Sequence, residues 1–278
     1  MELHSILTQQ TWRVIENSTF TPRHDTLASF AVDDTLCHSV GLNESPAVAR
    51  YWVHDNTIVL GIQDSRLPEL QRGIDDLRAN GWRVIVRNSG GLAVVLDEGI
   101  YNLSLILNEK KHHLSIEKGF ETMVALLRKL LAPYGVDFKT GEIVGSYCPG
   151  KYDLSVDGKK FAGISQRRIR GGVAVQVYLC TSGSGSERAR VIERFYSLAA
   201  QTEVEHIPPI HPETMVSLAE ITSQTITHAD LNAQLIQLFN EHGGVICSDL
   251  NKTEKQRFQQ YYDRVTERTK KVLSPINS

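Results

Sequence analysis

Between residues 151 and 180 three β-rich runs alternate with two tight turns, and no other stretch constrains the fold as strongly. The runs are Lys151–Val156, Lys159–Gln166 and Val173–Cys180, and the turns are Asp157-Gly158 and Gly171-Gly172. Asp-Gly and Gly-Gly supply the positive φ angles that two-residue hairpin turns demand, so consecutive runs pair antiparallel. Such a meander leaves edges and an apolar face that other elements must cover.

The upstream sequence supplies those elements. Asp25 is placed to cap a helix whose apolar positions include Leu27, Phe30, Ala31, Leu36 and Cys37. Short strands are predicted at Arg50–Val53 and Thr57–Leu60, then a helix from Pro68 to Ala79 stopped by Asn80-Gly81. Further strands are predicted at Trp82–Arg87, Leu92–Leu96 and Tyr101–Leu107, and helical periodicity returns over Glu117–Leu131. After a Ser/Gly loop at Ser182–Ser186 the chain reads as helix to near Gln201 and mostly helical beyond it. The last helix, Thr253–Leu273, is highly charged, with Phe258, Tyr261, Tyr262 and Val265 on its apolar side. The expected class is α/β (α+β): a mixed, largely antiparallel sheet flanked by helices. One domain spans residues 1–205, and a helical C-terminal extension, 206–278, packs on the same domain.

Composition narrows the functional classes. Thirty basic and thirty-two acidic residues leave a net charge of −2, which gives no bulk field for nucleic acid or an anionic membrane. No apolar stretch approaches the roughly 18 residues of a membrane span, and MELHSILTQQ lacks the pattern of a signal peptide, so a cytoplasmic protein is expected. Four cysteines without paired spacing make no disulfide framework. His112-His113, His206, His211, His228 and His242 are scattered, with no His-Glu-x-x-His, so no metal site is expected. Neither a Gly-x-Ser-x-Gly elbow nor a P-loop is present.

One cysteine stands apart. Cys37 lies in a helical pattern, and Cys180 and Cys247 follow apolar strand-like runs, so those three read as core residues. Cys148 instead sits in a Gly-Ser-Tyr-Cys-Pro-Gly loop, twelve positions before Lys160 across a predicted hairpin. An ammonium beside the sulfur would favour the thiolate and steady the oxyanion formed when it attacks a carbonyl. Alternation puts one of Lys159 and Lys160 inward without saying which, and both also read as solvated turn lysines. Arg87-Asn88-Ser89-Gly90-Gly91 permits close backbone approach to a ligand beside an arginine, or is a plain hairpin turn. Gln166-Arg167-Arg168-Ile169-Arg170 places three arginines where an acidic partner could dock, or forms a solvated tip.

These segments, in this order, resemble the biotin/lipoate protein ligase and lipoyl-transferase superfamily. Gly61-Ile62-Gln63 is similar to its Gly-x-x-Gln segment. Val86 to Asp97 is similar to Arg-Arg-x-Ser-Gly-Gly-Gly-x-Val-x-His-Asp, and Lys160-Phe161-Ala162-Gly163 resembles its lysine strand. Val86, Leu92 and Leu96 replace an arginine, a glycine and the histidine, departures that speak against an ATP-dependent ligase cradling an acyl-adenylate. Cys148, with the stretches Ser146–Ser155 and Gly163–Arg168, resembles the branch of cysteine acyltransferases.

The resemblance implies the ligase catalytic-domain fold and an ATP-independent amidotransferase without a cofactor. Such an enzyme moves an octanoyl or lipoyl group from the glycine-cleavage H protein, the donor, to lipoyl domains of 2-oxoacid dehydrogenase complexes, the acceptors. It implies Cys148 and Lys160 as catalytic residues, and Arg87, Ser89, Gly90, Gly91, Gly163 and Gln166 as substrate-binding. An acyl tunnel follows, since each buried methylene gains roughly 0.8 kcal/mol; Val94, Leu103, Leu105 and Ile164 are candidate walls. The alternatives are an octanoyl transferase drawing on an acyl carrier protein through the same Cys/Lys pair, an ATP-dependent lipoate ligase, and a noncatalytic lipoyl-domain binding module.

Overall fold

The computed structural model describes residues 5–16, 25–200 and 207–273. Its strands are β1 Thr11–Glu16, β2 Ala47–Trp52, β3 Thr57–Leu60, β4 Arg83–Val86, β5 Val94–Leu96, β6 Ile100–Asn108, β7 Lys139–Thr140, β8 Leu154–Val156, β9 Lys159–Ile169, β10 Gly172–Cys180 and β11 Gly244–Cys247. Its helices are α1 Thr26–Gly41, α2 Leu70–Ala79, α3 Glu109–His112, α4 Ile116–Leu131, α5 Gly185–Ala199, α6 Leu218–Thr222, α7 His228–Asn240 and α8 Lys252–Leu273. The large sheet has the order β11-β1-β2-β6-β10-β9-β8-β7, and β4-β3-β5 form a second sheet. β1 runs parallel to both β11 and β2, while every other pair in the large sheet is antiparallel. A mixed, largely antiparallel sheet flanked by helices is what the sequence predicts.

The meander β8-β9-β10 lies in one half of that sheet, between β6 and the edge strand β7. Asp157 and Gly158 both take positive φ, as the first turn requires. The second turn falls at Arg170-Gly171, one residue earlier than expected, and β9 runs three residues past Gln166. Gly172 already belongs to β10, where α1 decides its identity: a Cβ there would meet the Cys37 carbonyl oxygen at 2.0 Å.

Period-two alternation sorts β6 between two cores. Leu103, Leu105 and Leu107 face Met123, Leu126 and Leu130 of α4 and Leu235 and Phe239 of α7. On the opposite side Ser104 meets Asp33 of α1, and Asn102 donates to the Trp52 carbonyl of β2. Between the sheet and α8, α1 is buried almost throughout. Asp33 survives there because Arg50 Nη1 donates to it at 3.0 Å, Ser104 Oγ at 2.6 Å and Gln176 Nε2 at 2.7 Å.

The C-terminal part is not purely helical. The strand-like run ending at Cys247 is β11, which extends the main sheet beside β1. β1 itself has no counterpart in the sequence-based reading. Nor did hydropathy show what α8 does. Phe258, Tyr261 and Val265 cover Ala28, Val32, Leu36 and Val40 of α1, and Arg13 of β1 grips Glu254 with two bonds, at 2.7 and 2.9 Å. Thr269 exchanges hydrogen bonds with the backbone of Val86. The helix end near Gln201, the boundary at 205/206 and His206 lie outside the described residues. Among the described residues no helix is long and apolar enough to cross a membrane.

Candidate active site

Cys148 occupies the left-handed region, with φ of 47°, in the loop that leads into β8. A non-glycine residue is held there only when its surroundings over-determine it. Lys160 does so. Its side chain is fully buried, while Lys159 faces solvent, which resolves the alternation in favour of Lys160 pointing inward. Its ammonium donates to the carbonyl oxygens of Tyr147 at 2.9 Å and Cys148 at 2.8 Å, and pairs with Asp153 at 3.0 Å. Three partners account for the three ammonium protons. Sequence reasoning put this charge on the sulfur, whereas the structure puts it under the backbone that carries the sulfur. Lys160 thus holds the backbone of the Cys148 loop. Asp153 closes the loop by accepting the Gly150 N–H at 3.0 Å, and burial pushes its carboxyl above the usual range against the pull of Lys160.

The sulfur is held from the opposite side. Leu92 N–H donates to Cys148 Sγ at 3.1 Å, and Arg87 Nη2 lies 3.6 Å from it while donating to the Leu92 carbonyl at 2.6 Å. Two donors thus converge on one sulfur. Gly91 makes this approach possible: at φ of 103°, a Cβ there would stand 2.3 Å from Arg87 Nη2 and 2.9 Å from Cys148 Sγ. The Gly90-Gly91 segment thus serves the sulfur directly. The other thiols differ. Burial pushes Cys37 well above its ordinary value and Cys180 up to about 12, and Cys247 lies exposed on β11.

A cavity of about 480 Å³ opens at Cys148, within the roughly 300–1,000 Å³ typical of small-ligand sites. Arg87, Ser89, Gly90, Gly91, Gly163 and Gln166 all line it, so the structure brings the predicted substrate-binding set together around the sulfur; Lys160 does not line it. Gln166 is held by donating to the Ile116 carbonyl and accepting from Arg168. Of the predicted tunnel walls, Val94 and Ile164 line the cavity. Leu103 and Leu105 face the other core instead, because β6 is apolar on the face that α4 covers and periodicity alone gives no choice of side. Phe30, Trp52, Leu96 and Tyr178 add to the apolar wall, with Ile116, Phe120 and Val177.

Two residues that sequence reasoning missed clamp the Leu92 segment. Tyr196 of α5 accepts the Ala93 N–H at 3.1 Å and donates to Asp64 Oδ1 at 2.8 Å, and Asp64 Oδ2 accepts the Gly61 N–H at 2.7 Å. Asp64 had a local signal, a carboxylate three residues after the glycine whose N–H it takes. Tyr196 had none. Leaving Ala93 N–H unsatisfied costs about 1–3 kcal/mol and frees the neighbouring Leu92 donor. Tyr196→Phe is therefore expected to slow iodoacetamide alkylation of Cys148 about tenfold, with alkylation of exposed Cys247 unchanged as the internal control. Equal rates for wild type and variant would remove the clamp from the site's chemistry.

Burial pushes the Asp64 carboxyl up to about 6 from an ordinary 3.8. The folded chain thus binds this proton more tightly than the unfolded chain, and ionisation opposes folding as pH rises from about 4 to 6. Two units correspond to on the order of 3 kcal/mol. Urea unfolding should show wild type losing about that much relative to Asp64→Asn between pH 4 and 7; a difference that stays flat with pH contradicts it.

Residues 25–240 match the model of the lipoyl protein ligase A/B catalytic domain. The chain is 50% identical over 273 residues to the octanoyl-[GcvH]:protein N-octanoyltransferase of Geobacillus kaustophilus, covering 97% of this chain and 96% of that protein. It is 45% identical over 278 residues to the lipoyl-[GcvH]:protein N-lipoyltransferase of Listeria monocytogenes, covering 98% and 99% respectively. The crystal structure of lipoate-protein ligase A bound with ATP has the same fold, with a TM-score of 0.73 at 19% identity over 95% of this chain and 99% of that one.

Proposed function

The chain belongs to the lipoyl protein ligase A/B catalytic domain family, and from that membership we propose that it is an ATP-independent octanoyl-[GcvH]:protein N-octanoyltransferase. The octanoyl group passes from a lysine of the glycine-cleavage H protein to a lysine of a lipoyl domain through a thioester on Cys148. The observation that carries this reading is a cysteine sulfur at the mouth of a largely apolar cavity, held by Leu92 N–H and Arg87.

Cys148 thiolate attacks the carbonyl carbon of the octanoyl-lysine amide, and the C=O π electrons move onto oxygen. The charge that Leu92 N–H and Arg87 held on sulfur shifts to this oxyanion, which stays within their reach. Collapse breaks the C–N bond, the donor lysine departs as an amine after taking up a proton, and the Cys148 thioester remains. The amine of the acceptor lysine then adds to the thioester, loses a proton and expels the thiolate. Amide enters and amide leaves, so the cycle is nearly isoergic and needs no nucleotide. Lys160 and Asp153 take no proton in this scheme; they keep Cys148 in its left-handed conformation.

Incubating the protein with octanoylated H protein and measuring intact mass tests the proposal. One octanoyl group on Cys148, discharged by an apo lipoyl domain, is expected. Acylation by octanoyl-acyl carrier protein but not by octanoylated H protein would transfer the reading to the alternative donor, and no acylation from either would defeat it.

A further inference from the structure

The charged helix α8 has a one-sided arrangement that folding does not require. Arg257, Arg264, Arg268 and Lys271 recur at spacings of seven, four and three, which places them on one flank of a helix with 3.6 residues per turn. Asp263 and Glu267 fall about a quarter-turn round. Tyr261 and Asp34 join this flank to the β9-β10 hairpin. Tyr261 shares a hydrogen bond with His38 at 3.0 Å, is within the field of Arg170, and lies under the Arg264 guanidinium, 5.4 Å from its ring centre. Asp34 takes two bonds from Arg167, at 2.8 and 3.1 Å, and is within the field of Arg268. Arg257 is paired with Glu44, and Asp34 is buried against Arg167. Arg170, Arg264, Arg268 and Lys271 are exposed and have no ion-pair partner among the described residues.

This basic surface ends at the catalytic cleft. Asn88 donates to the same Asp34 at 2.8 Å, and its chain neighbours Arg87 and Ser89 line the cavity. Thr269, between Arg268 and Lys270, is bonded to Val86, the residue before Arg87. A chain with a net charge of −2 thus concentrates unpaired positive charge along one track to its active site. An extended polyanion would be repelled by the remainder of such a surface and would have no reason to end at the cleft. A folded carrier that must present a lysine to Cys148 has to seat beside that opening.

We propose that the α8 flank with Arg170 is the docking surface for an acidic face of the acyl-carrying protein, an inference that rests on the acyl transfer between protein lysines proposed above. Docking there steers the carrier and fixes the approach of its lysine, so the surface acts on encounter and leaves the chemistry at sulfur unchanged.

Reversing two exposed charges, Arg264→Glu with Arg268→Glu, tests it with two octanoyl donors: octanoylated H protein and a small octanoyl thioester without a protein body. The variant is expected to raise KM for the protein donor about tenfold at low salt, with kcat within about twofold. Its Cys148 acylation by the small thioester should equal that of wild type, which also certifies the fold. The wild-type preference should shrink as ionic strength rises past the range where the screening length falls to about 8 Å. An unchanged KM, or an equal loss with the small thioester, overturns the proposal. So does binding of wild type, but not the variant, to phosphatidylglycerol vesicles with transfer unaffected, which would assign the flank to a membrane. Wild type that takes no octanoyl group from the protein donor, yet reacts with the small thioester, would instead sink the donor assignment itself and this surface with it.

Discussion

Cys148→Ala abolishes transfer, with an expected loss of at least about 10³-fold in the single-turnover appearance of octanoylated lipoyl domain. No thioester forms, and the intact mass of the variant does not change on incubation with the octanoylated donor. The sulfur's contacts in the folded chain are few, chiefly Leu92 N–H and Arg87. Its removal should therefore cost about 1 kcal/mol of stability, seen as a small shift in the urea midpoint. The neighbouring thiols offer no substitute. Cys37 and Cys180 are completely buried, and Cys247 stands on the outer strand β11, away from the residues that line the cavity. Transfer that persists in Cys148→Ala would require another nucleophile and refute the mechanism.

Lys160→Met separates positioning from direct charge stabilisation. The substitution leaves the Asp153 carboxylate buried without its cation and releases the carbonyls of Tyr147 and Cys148. Removing one partner of a buried pair costs about 3–5 kcal/mol, so the urea midpoint should fall sharply. Transfer should fall by about 100-fold or more, because the left-handed conformation of Cys148 loses its restraint. The double variant Lys160→Met with Asp153→Leu removes the orphaned charge and should recover most of the lost stability. It should not recover transfer, since nothing then holds the two carbonyls. A double variant restored in both respects would reduce Lys160 to a structural counter-ion.

Much of the fold was written locally. Asp157-Gly158 and the turn at Arg170-Gly171 set the antiparallel meander through backbone dihedrals alone, and alternation within β9 required one of two adjacent lysines to point inward. Thr57–Leu60 and the helix ending at Leu131 could be read from periodicity, because apolar spacing reports which face is buried. The site was legible where chemistry needs a particular residue type in the chain: a cysteine in a glycine-flanked loop, and two glycines after an arginine.

What the sequence by itself determined was this set of strands, turns and chemically competent groups, since each depends on neighbours a few residues away. Only the tertiary structure decided what they meet. β1 pairs with β11 across more than two hundred residues, Lys160 takes backbone carbonyls rather than sulfur, and Tyr196 reaches Ala93 from a helix whose periodicity says nothing of its hydroxyl. Alternation is likewise silent on which of two apolar faces looks into a cavity, so Leu105 went to the α4 core while Val94 lines the cavity at Cys148. The physical reason is the same in each case. Local patterning fixes dihedrals and burial, but buried polar groups must find partners, and the chain satisfies them with whatever distant atoms packing delivers.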